Sequence, residues 1–232
     1  MTTLDEVLNK LNEKAKLDQL DGMARFGIVG DQRMGVSVPD MRRIAKDIGK
    51  NHQLALKLWD TGIPEAMIVA GMVAEPDKLT EEQMEDWVVD INSWDICDQV
   101  CMNLFEKSPY AEQKIFEWSA REEEFVKRTA YALIACLAWH DKDASDQAFT
   151  KYFPVIKNGS TDERNFVKKA VNWALRNIGK RNIELNQAAI QVAREIQAVD
   201  SKSARWIASN AIRELESDKV QERLRKKAQN QS

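Results

Sequence analysis

Two segments decide the fold: FVKRTAYALIACL at residues 125–137 and FVKKAVNWALRNI at residues 166–178. Each opens on Phe-Val-Lys and then places apolar residues at helical spacing. In the first, Phe125, Val126, Ala130, Leu133, Ile134 and Leu137 share a stripe; in the second, Phe166, Val167, Ala170, Val171, Ala174 and Ile178 do. A third copy, ARWIASNAIREL, starts at Ala204, and Pro64–Val73 and Trp94–Phe105 are looser members. Successive copies begin roughly 30 to 41 residues apart, the period of two-helix solenoid units. One such unit cannot bury its apolar face alone, so units stack on a continuous core. A non-repeating helical bundle would carry the same stripes.

Outward from these segments the whole chain reads as helix. The pattern predicts helices at Leu4 to about Leu20, Asp40–Ile48 behind Pro39, His52–Trp59, Pro64–Val73, and Thr80 to about Val89 with Thr80 and Gln83 as a capping box. It continues with Asn92–Phe105 capped by Asn92, Pro109–Ser119, Glu123–Trp139, Ser145–Phe153, Thr161–Ile178 ending against Gly179, Glu184–Ala198, Lys202–Leu215, and a charged tail helix from Lys219. Gly22 to Val38 holds four glycines and reads as an irregular passage. No strand is predicted, and GDQRMG at Gly30 is no dinucleotide fingerprint, because no strand precedes it.

Composition narrows the function classes. The 232 residues carry 34 Lys plus Arg against 37 Asp plus Glu, a net charge of -3, with 44% apolar residues and seven Trp. That content folds and does not stay disordered. No charge-free apolar run reaches the length of a membrane span. The opening MTTLDEVLNK lacks a basic and apolar leader pattern, so a cytoplasmic location is expected. Cys97, Cys101 and Cys136 are too few for a disulfide framework and, with His52 and His140 as the two histidines, are expected as core residues and not metal ligands.

The charge is unevenly spread. From Leu79 to Glu106 there are eight acids and no Lys or Arg; from Arg164 to Ile183 there are Arg164, Lys168, Lys169, Arg176, Lys180 and Arg181 and no acid. On the helix through residues 166–178, Lys169, Trp173, Arg176 and Lys180 fall in one line away from the core stripe. A basic stripe interrupted by an aromatic suits a phosphate backbone and a neighbouring nucleoside. Arg128 holds the equivalent face of the earlier copy, among the small residues Ala132 and Ala135. On the helix through Ile96 and Val100, Trp94 and Asp98 stand at i and i+4 on the edge of the apolar half, so ring and carboxylate are neighbours. Equivalent faces of a solenoid line one surface, so Arg128, Trp173 and Lys169 are expected to converge, with Trp94 and Asp98 beside them.

At MGVSVPDMRRIAKD (from Met34), SWDICD (from Ser93), EFVKRTAYAL (from Glu124) and NFVKKAVNWALRNIGK (from Asn165), the chain resembles the DNA alkylation repair family, the alkylpurine DNA glycosylases of the AlkD type. The likeness runs from about Met23 to about Leu215. It implies an all-α curved solenoid of HEAT-like antiparallel helix pairs, as one domain over residues 1–232 ending in a tail helix of roughly 14 residues. It also implies release of alkylated purines such as N3-methyladenine and N7-methylguanine from duplex DNA by N-glycosidic hydrolysis. The family's catalytic aspartate falls on Asp98, its partner tryptophan on Trp94, its cleft arginine on Arg128 and its second cleft tryptophan on Trp173. DNA contacts near the lesion fall on Phe26, where the family has a tyrosine, and on Ser37, where a longer amide stands in the family. Lys169, Arg176 and Lys180 would add backbone contacts. The implied chemistry uses no metal, nicotinamide or thiol cofactor, and the implied state is a monomer on damaged DNA. The other class compatible with the sequence is a non-catalytic HEAT-like module for nucleic acid or a protein partner.

Overall fold

The computed structural model describes residues 2–28, 30 and 32–229. Val29 and Asp31 of the glycine-rich passage, and residues 230–232 of the predicted tail, lie outside them. The helices are α1 Leu4–Glu13, α2 Leu20–Ala24, α3 Val38–Ile48, α4 His52–Trp59, α5 Pro64–Val73, α6 Glu81–Asp90, α7 Trp94–Asn103 and α8 Ala111–Ser119. They continue as α9 Glu124–His140, α10 Gln147–Thr150, α11 Phe153–Gly159, α12 Asn165–Gly179, α13 Ile183–Gln197, α14 Lys202–Leu215 and α15 Asp218–Gln229. No strand occurs among the described residues, so the all-α reading holds. No described helix is long and apolar enough to cross a membrane.

Several predicted boundaries move for local reasons. The first helix stops at Glu13, and Leu17–Gln19 forms a separate 3₁₀ turn before α2. The helix expected from Asn92 begins at Trp94 with Ser93 as its N-cap, and Phe105 belongs to the next 3₁₀ turn. Thr80 caps α6 through the Gln83 amide N–H, but the Gln83 side chain faces His52 Nε2 at 3.1 Å, so only half of the capping box forms. The segment read as Ser145–Phe153 is the short α10, with α11 starting at Phe153. α12 starts at Asn165, not Thr161, and includes Gly179.

The chain packs as two compact units divided between Ala111 and Glu112. The first is organised around α5, which packs against α3, α4 and α7. Pro64 sits where a first helical turn tolerates it, and Ala66, Ile68, Val69, Ala70 and Val73 are wholly buried. Gly71 lets α7 come close: a Cβ there would lie 3.2 Å from Val100 Cγ2. α4 and α6 pair through Trp59 stacked on Trp87 at 4.0 Å between centroids, with Trp59 Nε1 donating to Asp90 Oδ2 at 2.8 Å. The irregular passage is tied down by Glu65, whose Oε1 accepts from the backbone N–H of Met34 (3.1 Å) and Gly35 (2.8 Å). Gly35 has φ of 74°, and a Cβ there would meet the Lys16 carbonyl oxygen at 2.5 Å.

The second unit is layered. α12 lies between α9 and α14, and α11 and α13 pack behind them. Ala130, Ala170, Ala174, Ala208 and Ala211 are wholly buried, small residues that allow close approach of the three helices. These are the helices of the three repeated segments. Polar bonds between them recur at one interval: Arg128 to the Phe166 carbonyl, Asn172 to Asn210 and Arg176 to Glu214 all span 38 residues. Lys157 with Glu195 in the second layer spans the same 38. Cys97, Cys101 and Cys136 are each wholly buried.

The Glu65 contact generates a stability prediction. Glu65→Ala leaves two backbone N–H groups without their acceptor and should cost about 3 kcal/mol in denaturant unfolding. Glu65→Gln keeps a carbonyl acceptor and should cost markedly less.

Candidate functional site

In the first unit, α7 carries Trp94 and Asp98. Its buried side is Ile96, Cys97, Val100 and Cys101, which turns Trp94 and Asp98 to the boundary, where both are partly exposed. Trp94 Nε1 donates to the Phe26 carbonyl at 3.0 Å, so the indole is held at a defined angle by the irregular passage. The Phe26 ring is 75% exposed, an unusual position for a large apolar group. Phe26 and Trp94, named separately in the sequence, are thus neighbours in the fold.

Three acids of the first unit stand in different settings. Asp95 is bound by the buried guanidinium of Arg33 through two bonds, at 2.7 Å and 3.1 Å, and by the Ser93 hydroxyl. Asp40 is tied to Ser37, whose Oγ accepts from the Asp40 N–H at 3.3 Å and donates to its Oδ2 at 2.5 Å. That bond, together with the Arg43 guanidinium, outweighs partial burial and holds the Asp40 carboxyl below its ordinary value. Ser37 therefore has a structural duty as the N-cap of α3. Asp98 lies at the outer edge of α7 beside Trp94.

The second unit holds the other predicted residues. Arg128 is 4% exposed, and its Nη1 donates to the Phe166 carbonyl at 2.8 Å. Ala132 and Ala135 around it are wholly buried, which corrects the expectation of an open face of small residues. Trp173 is partly exposed on α12 and Lys169 is exposed. Arg176 and Lys180 do not stand free along that line: both bond Glu214 of α14, Lys180 at 2.9 Å. Burial alone would raise the Glu214 carboxyl, but the bonds from Lys180 and Arg176 and their charges hold it below the ordinary glutamate value.

Sequence reasoning missed the Arg33–Asp95 pair and the Glu65 clasp. Their partners lie 62 and about 30 residues apart, beyond any helical periodicity. It also missed Glu214 as the acid that answers the basic stripe, although the 38-residue interval places it opposite Arg176.

A solved structure described as "a new family of proteins related to the HEAT-like repeat DNA glycosylases with affinity for branched DNA structures" is 21% identical, with a TM-score of 0.75 over 91% of this chain and 95% of its own. The fold is thus that of the HEAT-like helical repeat proteins. An engineered protein is 13% identical with a TM-score of 0.43, covering 93% of this chain and 99% of its own. A designed armadillo repeat protein in complex with the peptide (KR)4 is 15% identical with a TM-score of 0.38, covering 97% of each chain. No curated protein is matched by the sequence. The profile described as DNA alkylation repair enzyme matches residues 7–215, and the chain belongs to that family.

Two outcomes follow from these contacts. Asp95→Asn weakens a buried ion pair and should lower unfolding free energy by about 3 kcal/mol. Glu214 has a lowered folded-state pKa, so its contribution is present above the ordinary glutamate value and lost as pH falls through the folded value. In a urea series run from neutral to acid pH, Glu214→Gln should remove that part of the acid sensitivity. At neutral pH it should cost no more than about 1 kcal/mol, since the pair is solvent-screened.

Proposed function

We propose that this protein hydrolyses the N-glycosidic bond of alkylated purines in duplex DNA, with Asp98 as its catalytic carboxylate. The observation that carries the reading is the edge of α7. There an indole fixed by a backbone carbonyl stands one helical turn before a partly exposed carboxylate. Membership in the DNA alkylation repair family supports the substrate class.

The chemistry asks little of the protein. Alkylation at N3 or N7 leaves the purine cationic, so the base departs with the bonding electron pair and needs no added proton. The deoxyribose left behind develops oxocarbenium character. A carboxylate beside it stabilises that charge and accepts a proton from the water that adds to C1′. The face of Trp94 stabilises the same cation. Arg128, bonded to the Phe166 carbonyl, holds the start of α12 and with it the setting of Lys169 and Trp173. Phe26, Ser37 and Lys169 contact DNA directly in this reading. Arg176 and Lys180 do so by exchanging Glu214 for phosphate.

A second reading, DNA binding without base release, is favoured by one observation. The solved relative is described by its affinity for branched DNA, and not by an activity. The two readings separate in one experiment. Asp98→Asn should unfold as the parent does and bind DNA, yet release 7-methylguanine from methylated DNA at least about a hundredfold more slowly. A fully active Asp98→Asn protein would overturn the catalytic reading. A parent protein that binds branched DNA and releases no 3- or 7-alkylpurine would establish the second.

A further inference from the structure

The C-terminal ends of α9 and α12, with α15 packed beside them, border a half-open cavity of about 700 Å³ within the second unit. Five cations line it: Lys142, Lys180, Arg181, Arg223 and Lys227; Asp146 is the one carboxylate in the lining. Asp146 accepts from Asn182 Nδ2 at 2.7 Å, and Lys180 is answered by Glu214. The remaining four cations make no ion pair among the described residues. They donate to main-chain carbonyls: Lys142 to Trp139, Arg223 to Lys180 at 3.2 Å, and Lys227 to Arg181 at 3.3 Å. Arg181 reaches the carbonyls of Ala138 and Ala144, both at 3.0 Å, and its Cζ lies 3.9 Å from the Phe149 ring centroid.

Helix C-termini attract cations, and one arginine already serves these carbonyls. That accounts for Arg181. Lys142, Arg223 and Lys227 hold one such carbonyl each, Arg223 and Lys227 brought there by a different helix, so three further cations share the space. The result is a concentration of like charge that repels itself. Burial first, and then Arg181 and Arg223, push the Lys142 ammonium below its ordinary value; burial, Arg223, Lys142 and Arg181 do the same to Lys227. Arg181 Nε is buried with no hydrogen-bond partner. An anion in the cavity would relieve all of these at once. The volume suits a nucleotide-sized group and exceeds what a simple ion needs. On the rim stands Trp139, an indole 55% exposed, with its ring 5.6 Å from that of His140. Cations that grip phosphate beside an open aromatic face are the elements of single-strand recognition.

We propose that this cavity is a phosphodiester-binding site for a DNA strand, gripped by Lys142, Arg181, Arg223 and Lys227, with Trp139 stacking on an adjoining base. The site lies within the second unit, and it rests on the reading of the chain as a DNA-binding repair protein. It offers a place for a single-stranded segment, such as one exposed at a branch or gap.

The test uses the full chain with Lys142→Gln, Arg223→Gln and Lys227→Gln combined. All three residues are exposed and lie outside the packed core. Binding of fluorescein-labelled oligodeoxythymidine is followed by anisotropy over a salt series, with thermal unfolding as the folding control. The triple variant should bind about tenfold more weakly, and the slope of log affinity against log salt should fall by about two. Restoring the charges as Arg at positions 142 and 227 should recover most of the affinity. Trp139→Ala should weaken binding several-fold with the salt slope unchanged. Inorganic phosphate presents the same group, so calorimetry with phosphate alone is the second arm. A triple variant that binds the oligonucleotide like the parent overturns the proposal, whether or not inorganic phosphate binds. A parent that binds no DNA overturns both this site and the function it rests on. DNA binding that persists unchanged in the triple variant overturns this site alone. Base release by the triple variant reports separately on Asp98.

Discussion

Buried polar groups at the junctions between repeated helices need partners, and in the second unit several of them reach across to the next repeat. Arg128 bonds the Phe166 carbonyl, Asn177 bonds the Ala135 carbonyl at 3.0 Å, and Asn172 bonds Asn210 at 2.9 Å. An unsatisfied amide or guanidinium there would cost as much as several good apolar contacts return. Satisfied, these bonds fix the register between α9, α12 and α14, which apolar packing alone leaves free to slide. The alanines along the same helices bring the backbones close enough for short polar side chains to reach across. The positions of Trp173, Lys169 and the shared Glu214 follow from that register.

In the first unit the same logic operates through carboxylates. Glu65 is wholly buried and holds the Met34–Gly35 turn; Asp95 holds Arg33. Both bonds steady the irregular passage, and the passage in turn presents the Phe26 carbonyl to Trp94. A fixed indole beside Asp98 is thus the end of a chain of contacts that begins in the core of α5. Acids three residues apart on one turn have divided their work: Asp95 serves the fold, and Asp98 faces the boundary.

Charge follows the opposite course in the second unit. The Arg176 and Lys180 stripe is held by Glu214, while the cations around the α9 and α12 termini are left facing a cavity. A chain of net charge -3 can therefore gather five cations around one space, with Asp146 the one carboxylate among the described lining residues. A stripe read from one helix records which residues point the same way. It does not record which acid a neighbouring helix brings to meet them.

The sequence by itself determined the all-helical class, the repeat interval, most of the core stripes of α9 and α12, and the boundary position of Trp94 and Asp98. Helices α4, α5 and α14 match their predicted limits. These features are local, set by 3.6-residue periodicity and by prolines and caps within a few residues. Only the tertiary structure decided that Asp95 pairs with Arg33, that Arg128 is buried, that Glu214 clasps Arg176 and Lys180, and that Lys142, Arg181, Arg223 and Lys227 meet. Each of those depends on partners 30 or more residues away, joined by helix packing whose distances no helical period encodes.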